Sequence, residues 1–387
     1  MLKKLALLSS IVCLVSSCRT SSSSSDIRSE LSRSLIRTLE PAPTGKSHFC
    51  SFNIQFLGKA YERGRSESEV LLKAVENCTV IALQELIASP VDLVFPNGDR
   101  MTADPEAKIF FDTLAELYPQ FAYILSPEDT GCWENHTSAN YSEFFVFIYR
   151  KDILEPIDSP SNGFLQQKLI GFKDCDRNII EENNFDRVPY AQTFRFLSGG
   201  GDFVLINAHL HADTRKPCTD QRGSTIEDID RRGSELTEIL KWIQKNDQGQ
   251  EKDFILIGDL NLTKPEMDLL MTGMAGSRTQ IQKGDHPTIR QKFLDYKAAG
   301  YVTLNSQCAP TNVGGDECFD HVIFRPAITK EIDTDYGMRV IDLQSVAEES
   351  GYCQKNPSIC ETTTRFIPYF TDHNPIVFQW SHLADDD

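Results

Sequence analysis

The chain has 387 residues, 40% of them hydrophobic, and a formal net charge of −17 at pH 7. That length and apolar content exclude a disordered or fibrous chain and suffice for one large domain or two small ones. The acidity excludes capture of a polyanion by bulk electrostatics, so any anionic ligand must be met by local bases or bound cations.

Residues 1–17 begin with Met1-Leu2-Lys3-Lys4, continue through the apolar Leu5–Val15 and end in Ser16-Ser17. A basic start, a short apolar stretch and small residues describe a bacterial-type export signal, too short to span a bilayer as a lasting anchor. Val15-Ser16-Ser17-Cys18 also resembles a lipobox, in which Cys18 becomes a lipidated N-terminus. An ordinary cleaved signal followed by a chance cysteine is the alternative. The expected location is outside the cytoplasm, as an outer or cell-surface membrane lipoprotein or as a periplasmic or secreted protein. Export permits disulfides among the 11 Cys. Cys308/Cys318 and Cys353/Cys360 are the close pairs expected to bond. Pairing among Cys50, Cys78, Cys132, Cys175 and Cys218 stays open. No Cys/His spacing resembles a zinc site.

Residues 18–47 contain a serine run, Pro41, Pro43 and Gly45, and are expected to form a flexible tether, with a short helix over Ile27–Leu39. From His48 onward, apolar runs of strand length recur at Phe49–Phe56, Thr79–Leu83, Phe121–Leu125, Phe144–Tyr149 and Ala191–Phe196. They continue at Phe203–Ala208, Phe254–Ile257, His321–Phe324 and Pro375–Trp380. Helical patterns cover Ser66–Glu76, Glu106–Leu117 and Gly233–Gln244. Tyr149–Asp152 and Ser198–Gly201 read as turns between neighbouring strands. Strands outnumber helices and often adjoin without one. The expected fold is one α+β domain over residues 48–382, two packed, mainly antiparallel sheets with outer helices.

Several apolar strands end abruptly in a carboxylate, amide or imidazole. Val80-Ile81-Ala82-Leu83 runs into Gln84-Glu85, Phe203–Ala208 into His209-Leu210-His211, and Phe254–Gly258 into Asp259-Leu260-Asn261. Phe49–Phe56 holds Asn53, and Thr371-Asp372-His373-Asn374 precedes the last strand. One such site reads most simply as a strand-end polar group capping a loop. Five together point to a shared site, because a charged group at a buried strand end is costly unless paired or metal-bound. Oxygen ligands without cysteine favour Mg²⁺, Mn²⁺ or Ca²⁺ over Zn²⁺.

At these residues the chain resembles the endonuclease/exonuclease/phosphatase superfamily, and within it the deoxyribonuclease I family. The matching strings are Ser51–Gly58, Leu83-Gln84-Glu85, Tyr141-Ser142-Glu143, Phe185-Asp186-Arg187-Val188-Pro189, Asn207-Ala208-His209, Gly258–Asn261, Cys318–His321 and Thr371–Pro375, in the family's order. The resemblance implies a four-layered sandwich with the site at strand ends between the sheets. It implies a monomeric, Mg²⁺- or Mn²⁺-dependent endonuclease cutting DNA, with RNA as a further substrate and Ca²⁺ as a structural ion. The membrane would be met only through the lipid anchor.

The resemblance further implies roles. Asn53, Glu85, Asp259 and Asp372 would hold metal or orient the attacking water. His209 and His373 would be the general acid/base pair, oriented by Glu143 and Asp320 respectively. Asn261 would donate to a phosphate oxygen, and Arg187 and Tyr141 would contact substrate. One departure is Gln55, where the family has a basic residue reaching the minor groove. The stretches Thr214–Arg232, with five basic residues, and Arg325–Arg365 are longer than the family pattern. His211 reads as a rim or core histidine, and Asp285-His286-Pro287 as a loop that imitates the terminal motif. Two competing readings are a phospholipid or inositol-phosphate phosphodiesterase or phosphatase of the same superfamily, and a non-catalytic surface binding module. The second would be expected to have lost motif residues, and none is lost.

Overall fold

The computed structural model describes residues 34–57, 63–94, 100–103, 105–127, 143–165, 185, 187–199, 201–212, 218–219, 225–226, 228–247, 252–263, 297–306 and 308–383. The expected signal, Cys18, Tyr141, Asp186, the loop at 285–287 and most of 214–232 lie outside them.

Two sheets form the centre. The first contains β1 (Leu35–Ile36), β2 (Lys46–Leu57), β3 (Val80–Val94), β4 (Arg100–Ala103), β5 (Phe121–Leu125), β6 (Glu143–Arg150), β16 (Arg339–Ile341) and β17 (Ile376–Ser381). The second contains β7 (Leu154–Pro156), β8 (Gly163–Phe164), β9 (Tyr190–Phe196), β10 (Asp202–His209), β13 (Phe254–Asp259), β14 (Val302–Thr303) and β15 (Asp320–Phe324). A small ribbon pairs β11 (Cys218–Thr219) with β12 (Thr225–Ile226). In the sheets only β1·β16, β2·β3 and β10·β13 run parallel; the other paired strands are antiparallel.

Period-two alternation sorts the apolar side chains into three cores. Along β13, Phe254 and Leu256 face outward, while Ile255 and Ile257 face the opposite sheet. The middle core is rich in aromatics, among them Phe49, Phe147, Phe194, Phe203, Phe378 and Trp380, all buried. Helices α1 (Arg65–Val75) and α2 (Pro105–Leu117) cover the outer face of the first sheet. Helix α3 (Asp228–Asn246) covers the second through Leu236, Ile239, Leu240 and Ile243. The four-layer order helix, sheet, sheet, helix follows from these cores.

Three details differ from the sequence reading. Within the helix expected over Ile27–Leu39, Leu35 and Ile36 form β1, paired with Val340 and Ile341, and Leu39 is buried beside α1. The end of the expected tether therefore belongs to the folded unit; its partners lie far along the chain, where no local pattern reveals them. The Arg150–Asp152 turn carries the chain from one sheet to the other, whereas Ser198–Gly201 joins the paired strands β9 and β10. The long stretch 325–365 supplies β16 and helix α4 (Leu343–Glu349), whose Leu343, Val346 and Ala347 complete the outer core of the first sheet. Disulfides Cys308–Cys318 and Cys353–Cys360 form as expected, and Cys50 bonds Cys78, a pairing the spacing left open.

Candidate active site

Alternation aims most of the site. On β10, Phe203 and Leu205 face the middle core, so Asn207 and His209 follow on that face. The same count places Asp259 on β13, Asp320 on β15, Asn53 on β2 and Glu143 on β6 between the sheets. Register sets them side by side: His209 pairs with Asp259, and Asp259 with Asp320. Gly258 lets β13 approach β10. Its φ is +142°, and a Cβ there would lie 1.9 Å from the Ala208 carbonyl oxygen. Gly258→Ala is expected to cost about 2–4 kcal/mol by strain and overpacking, read by urea unfolding.

Glu85 breaks the count. With Val80 and Ala82 in the middle core, Gln84 takes the inner position and Glu85 should point outward. Instead Glu85 has φ +64°, and the β3·β6 register breaks between Leu83 and Leu86. This irregularity turns its carboxylate into the site. Gln55 (φ +38°), within the β2·β3 register irregularity, and Asn261 (φ +50°), two residues past β13, also adopt positive φ.

The side chains converge on Asp259. Its Oδ2 accepts from Asn53 Nδ2 at 2.8 Å and lies 3.6 Å from His209 Nε2 and 3.4 Å from His373 Nε2. Its Oδ1 accepts from the Asn261 backbone N–H at 2.9 Å. His209 Nδ1 is 2.9 Å from Glu143 Oε1, and His373 Nδ1 is 2.9 Å from Asp320 Oδ2. Both imidazoles are thus held at Nδ1 and present Nε2 to the same space.

Burial and the Arg187 charge press the His209 pKa down, but Glu143 and Asp259 leave it raised above the ordinary value. Burial acts likewise on His373, where Asp320 and Asp259 prevail and raise it well above that value. For Asp259 burial pushes upward, yet His373, His209 and the hydrogen bond from Asn53 hold the carboxyl below its usual range. Asp372 is pushed up to about 6 by burial, opposed by His373 and reinforced by Glu85 and Asp259. Glu143→Gln removes the charge that raises His209, so the limb of the pH–rate profile controlled by His209 should move to lower pH, read from kcat/KM against pH.

The donor set fits a divalent cation. Carboxylate oxygens of Glu85 and Asp259 lie within 4.8 Å of each other, with the His209 imidazole beside them. Asp372 Oδ1 is buried with no hydrogen-bond donor, although the side chain as a whole is 42% exposed. A buried carboxylate oxygen without a hydrogen-bond donor, 3.9 Å from His373 Nε2 and beside two further carboxylates, is costly, and a hard cation with oxygen ligands relieves it.

No protein-family model matches the chain, and a search of curated proteins finds no match. Solved structures do resemble it. The AP endonuclease LMAP from Leishmania major is 13% identical, with 92% of this chain and 95% of that chain covered and a TM-score of 0.48. An endonuclease/exonuclease/phosphatase family protein from Bacteroides thetaiotaomicron is 13% identical over 88% of this chain and 96% of that chain, with a TM-score of 0.44. The human Nocturnin catalytic domain is 13% identical over 88% and 95%, with a TM-score of 0.45. These are likenesses of overall chain course; the chemistry assigned below rests on residues of this chain.

Of the expected site residues, Asn53, Glu85, Glu143, His209, Asp259, Asn261, Asp320, Asp372 and His373 come together. Asn53 lies among the carboxylates: its Oδ1 accepts from the Gln55 N–H at 2.9 Å, and its NH₂ donates to Glu85 and to Asp259. Arg187 lies against Glu143, Nε to Oε1 3.4 Å, and donates from Nη1 to the Leu210 carbonyl at 3.1 Å. The same carbonyl accepts from Asn261 Nδ2 at 3.1 Å. His211 is a buried core residue whose N–H donates to Glu235, and Arg232 is buried and bonded to the His211 carbonyl. Arg232 is therefore packed inside the fold rather than presented to solvent.

Sequence reasoning missed five supports. Gln55, noted only as a departure, accepts the Asp372 N–H at Oε1, 3.2 Å. Buried Arg63 donates to the carbonyls of Ile54 and Gln55 and fixes the end of β2. Thr311 accepts from Asp320 N–H at Oγ1 and from Asn374 N–H at its carbonyl, 3.1 and 2.7 Å, steadying Asp320 and the residue that follows His373. Gln84 and Asn207 lie beneath the site. Of these, Gln55, Gln84 and Asn207 stood within the matched strings; Arg63 and Thr311 carried no signal.

Proposed function

We propose that the protein is a divalent-cation-dependent phosphodiesterase, an endonuclease acting on DNA, with RNA as a further substrate, outside the cytoplasm and tethered through Cys18. The observation that carries this reading is the pair of carboxylate-held imidazoles whose Nε2 atoms face one space over Asp259. Hydrolysis of a phosphodiester needs a base on one side of phosphorus and an acid on the other. With Nδ1 bound to Glu143, His209 exchanges a proton only at Nε2, and Asp320 confers the same constraint on His373. One accepts the proton of the attacking water; the other returns a proton to the leaving oxygen. Glu85, Asp259 and Asp372 would hold the cation, which supplies charge neutralisation at the phosphate. Asn261 and Arg187 would bind phosphate oxygens. DNA is the substrate class implied by the ordered motifs, above all those bearing Glu143 and Arg187.

A substrate panel tests the reading. Purified protein with Mg²⁺ or Mn²⁺ should nick plasmid DNA and leave sphingomyelin and inositol phosphates intact. Release of phosphocholine without DNA cleavage would transfer the reading to a phospholipase, and no cleavage of any substrate would end it.

A further inference from the structure

The two imidazole–carboxylate pairs cross the inter-sheet interface in opposite senses. His209 of the second sheet meets Glu143 of the first, and His373, just before β17 of the first, meets Asp320 of the second. Glu85 and Asp259 likewise come from different sheets, with Asn53 between them. A slide of one sheet over the other would disturb all these distances together. The middle core is largely aromatic and aliphatic, and apolar contact is non-directional.

A directional contact lies directly beneath the site. Gln84 and Asn207 are fully buried between the sheets. Gln84 Nε2 donates to Asn207 Oδ1 at 2.6 Å and to Ser51 Oγ at 3.1 Å. Asn207 Nδ2 donates to the carbonyls of Leu83 and Val146 at 3.0 and 3.2 Å. Leu83 and Val146 are the last pair before the register break that aims Glu85. One amide from the second sheet therefore satisfies the first sheet where that sheet is interrupted. Gln84 adjoins Glu85, and Asn207 stands two residues before His209 on the same face.

We infer that Gln84 and Asn207 are positioning residues: their cross-sheet amide contact sets the registration of the two sheets and so assembles the cation ligands and both imidazole pairs. The inference rests on the function proposed above. Buried amides that satisfy each other add little net stability, and apolar groups of the same shape can replace both partners at small cost. Their contribution is geometric, and displacing supporting groups of this kind costs roughly 10–100-fold in activity or metal affinity.

The test is a double-mutant cycle of Gln84→Met and Asn207→Leu in the full chain, read by kcat and KM on bis(p-nitrophenyl) phosphate, Mn²⁺ affinity by calorimetry, and melting temperature. Each single variant should lower kcat and Mn²⁺ affinity roughly 10–100-fold with KM little changed. The double variant should be no worse in kcat and Mn²⁺ affinity than the poorer single one, while its melting temperature falls together with that of Asn207→Leu, which takes the donor from the Leu83 and Val146 carbonyls. Unchanged kcat and affinity in folded variants, or losses that simply multiply, overturn the inference. Should Asn207→Leu fail to fold, Gln84→Met alone decides by the same readouts. A wild type that binds Mn²⁺ but cleaves nothing overturns the functional reading while the affinity comparison still decides the positioning role; a wild type that does neither overturns both.

Discussion

His373→Asn should lower kcat for phosphodiester cleavage about 10²–10⁴-fold, the usual range for a lost general acid or base. Asparagine is preferred to alanine for a structural reason. His373 Nδ1 bonds Asp320 Oδ2 at 2.9 Å in a buried position, so alanine would strand a buried carboxylate. An asparagine amide can still donate to Asp320, yet it offers no titrating nitrogen where Nε2 stands, 3.4 Å from Asp259. Steady-state kinetics with a melting curve checks the prediction. A rate near wild type would remove His373 from the chemistry; a large loss of stability would mean that it serves the fold instead.

Asp259→Asn should have a larger effect. Asp259 receives Asn53 and the Asn261 N–H, faces both imidazoles, and belongs to the cluster with Glu85 and His209. Its charge also helps raise the pKa of His209 and His373. Removing that charge weakens cation binding and lowers both imidazole pKa values. A bound cation is worth several kcal/mol of transition-state stabilisation, so the expected loss is roughly 10³-fold or more in kcat/KM, with Mn²⁺ affinity falling in parallel. Calorimetry and kinetics on the same preparation check it; retained Mn²⁺ affinity would displace Asp259 from the ligand set.

Strand-end alternation was enough to read His209 and Asp259 from the sequence, because each continues a two-residue rhythm begun by Phe203 or Ile255. Glu143 and Asp320 open their strands, and only the family resemblance paired them with their histidines. Glu85 shows why pattern alone falls short. Its inward aim depends on a positive φ and a register break, a tertiary effect that alternation contradicts. Asn53 was legible as a site residue, but its bonds to the Gln55 N–H and to two carboxylates form only in the folded chain. Thr311 was invisible because its two bonds join segments that approach only in the folded chain. The β1 pairing and the packing of residues 343–347 were hidden for the same reason: long-range partners leave no local periodicity.

The central claim is that two carboxylate-held imidazoles and a cation cluster form one hydrolytic site. It is tested most directly by following plasmid nicking by the purified protein with Mg²⁺ or Mn²⁺, after EDTA, after restoring the ion, and with the His209→Asn variant, whose amide can still donate to Glu143. The account predicts nicking that EDTA abolishes, that added ion restores, and that His209→Asn reduces by about 10²–10⁴-fold. Cleavage indifferent to both EDTA and His209→Asn, or no cleavage with any divalent ion, would contradict it.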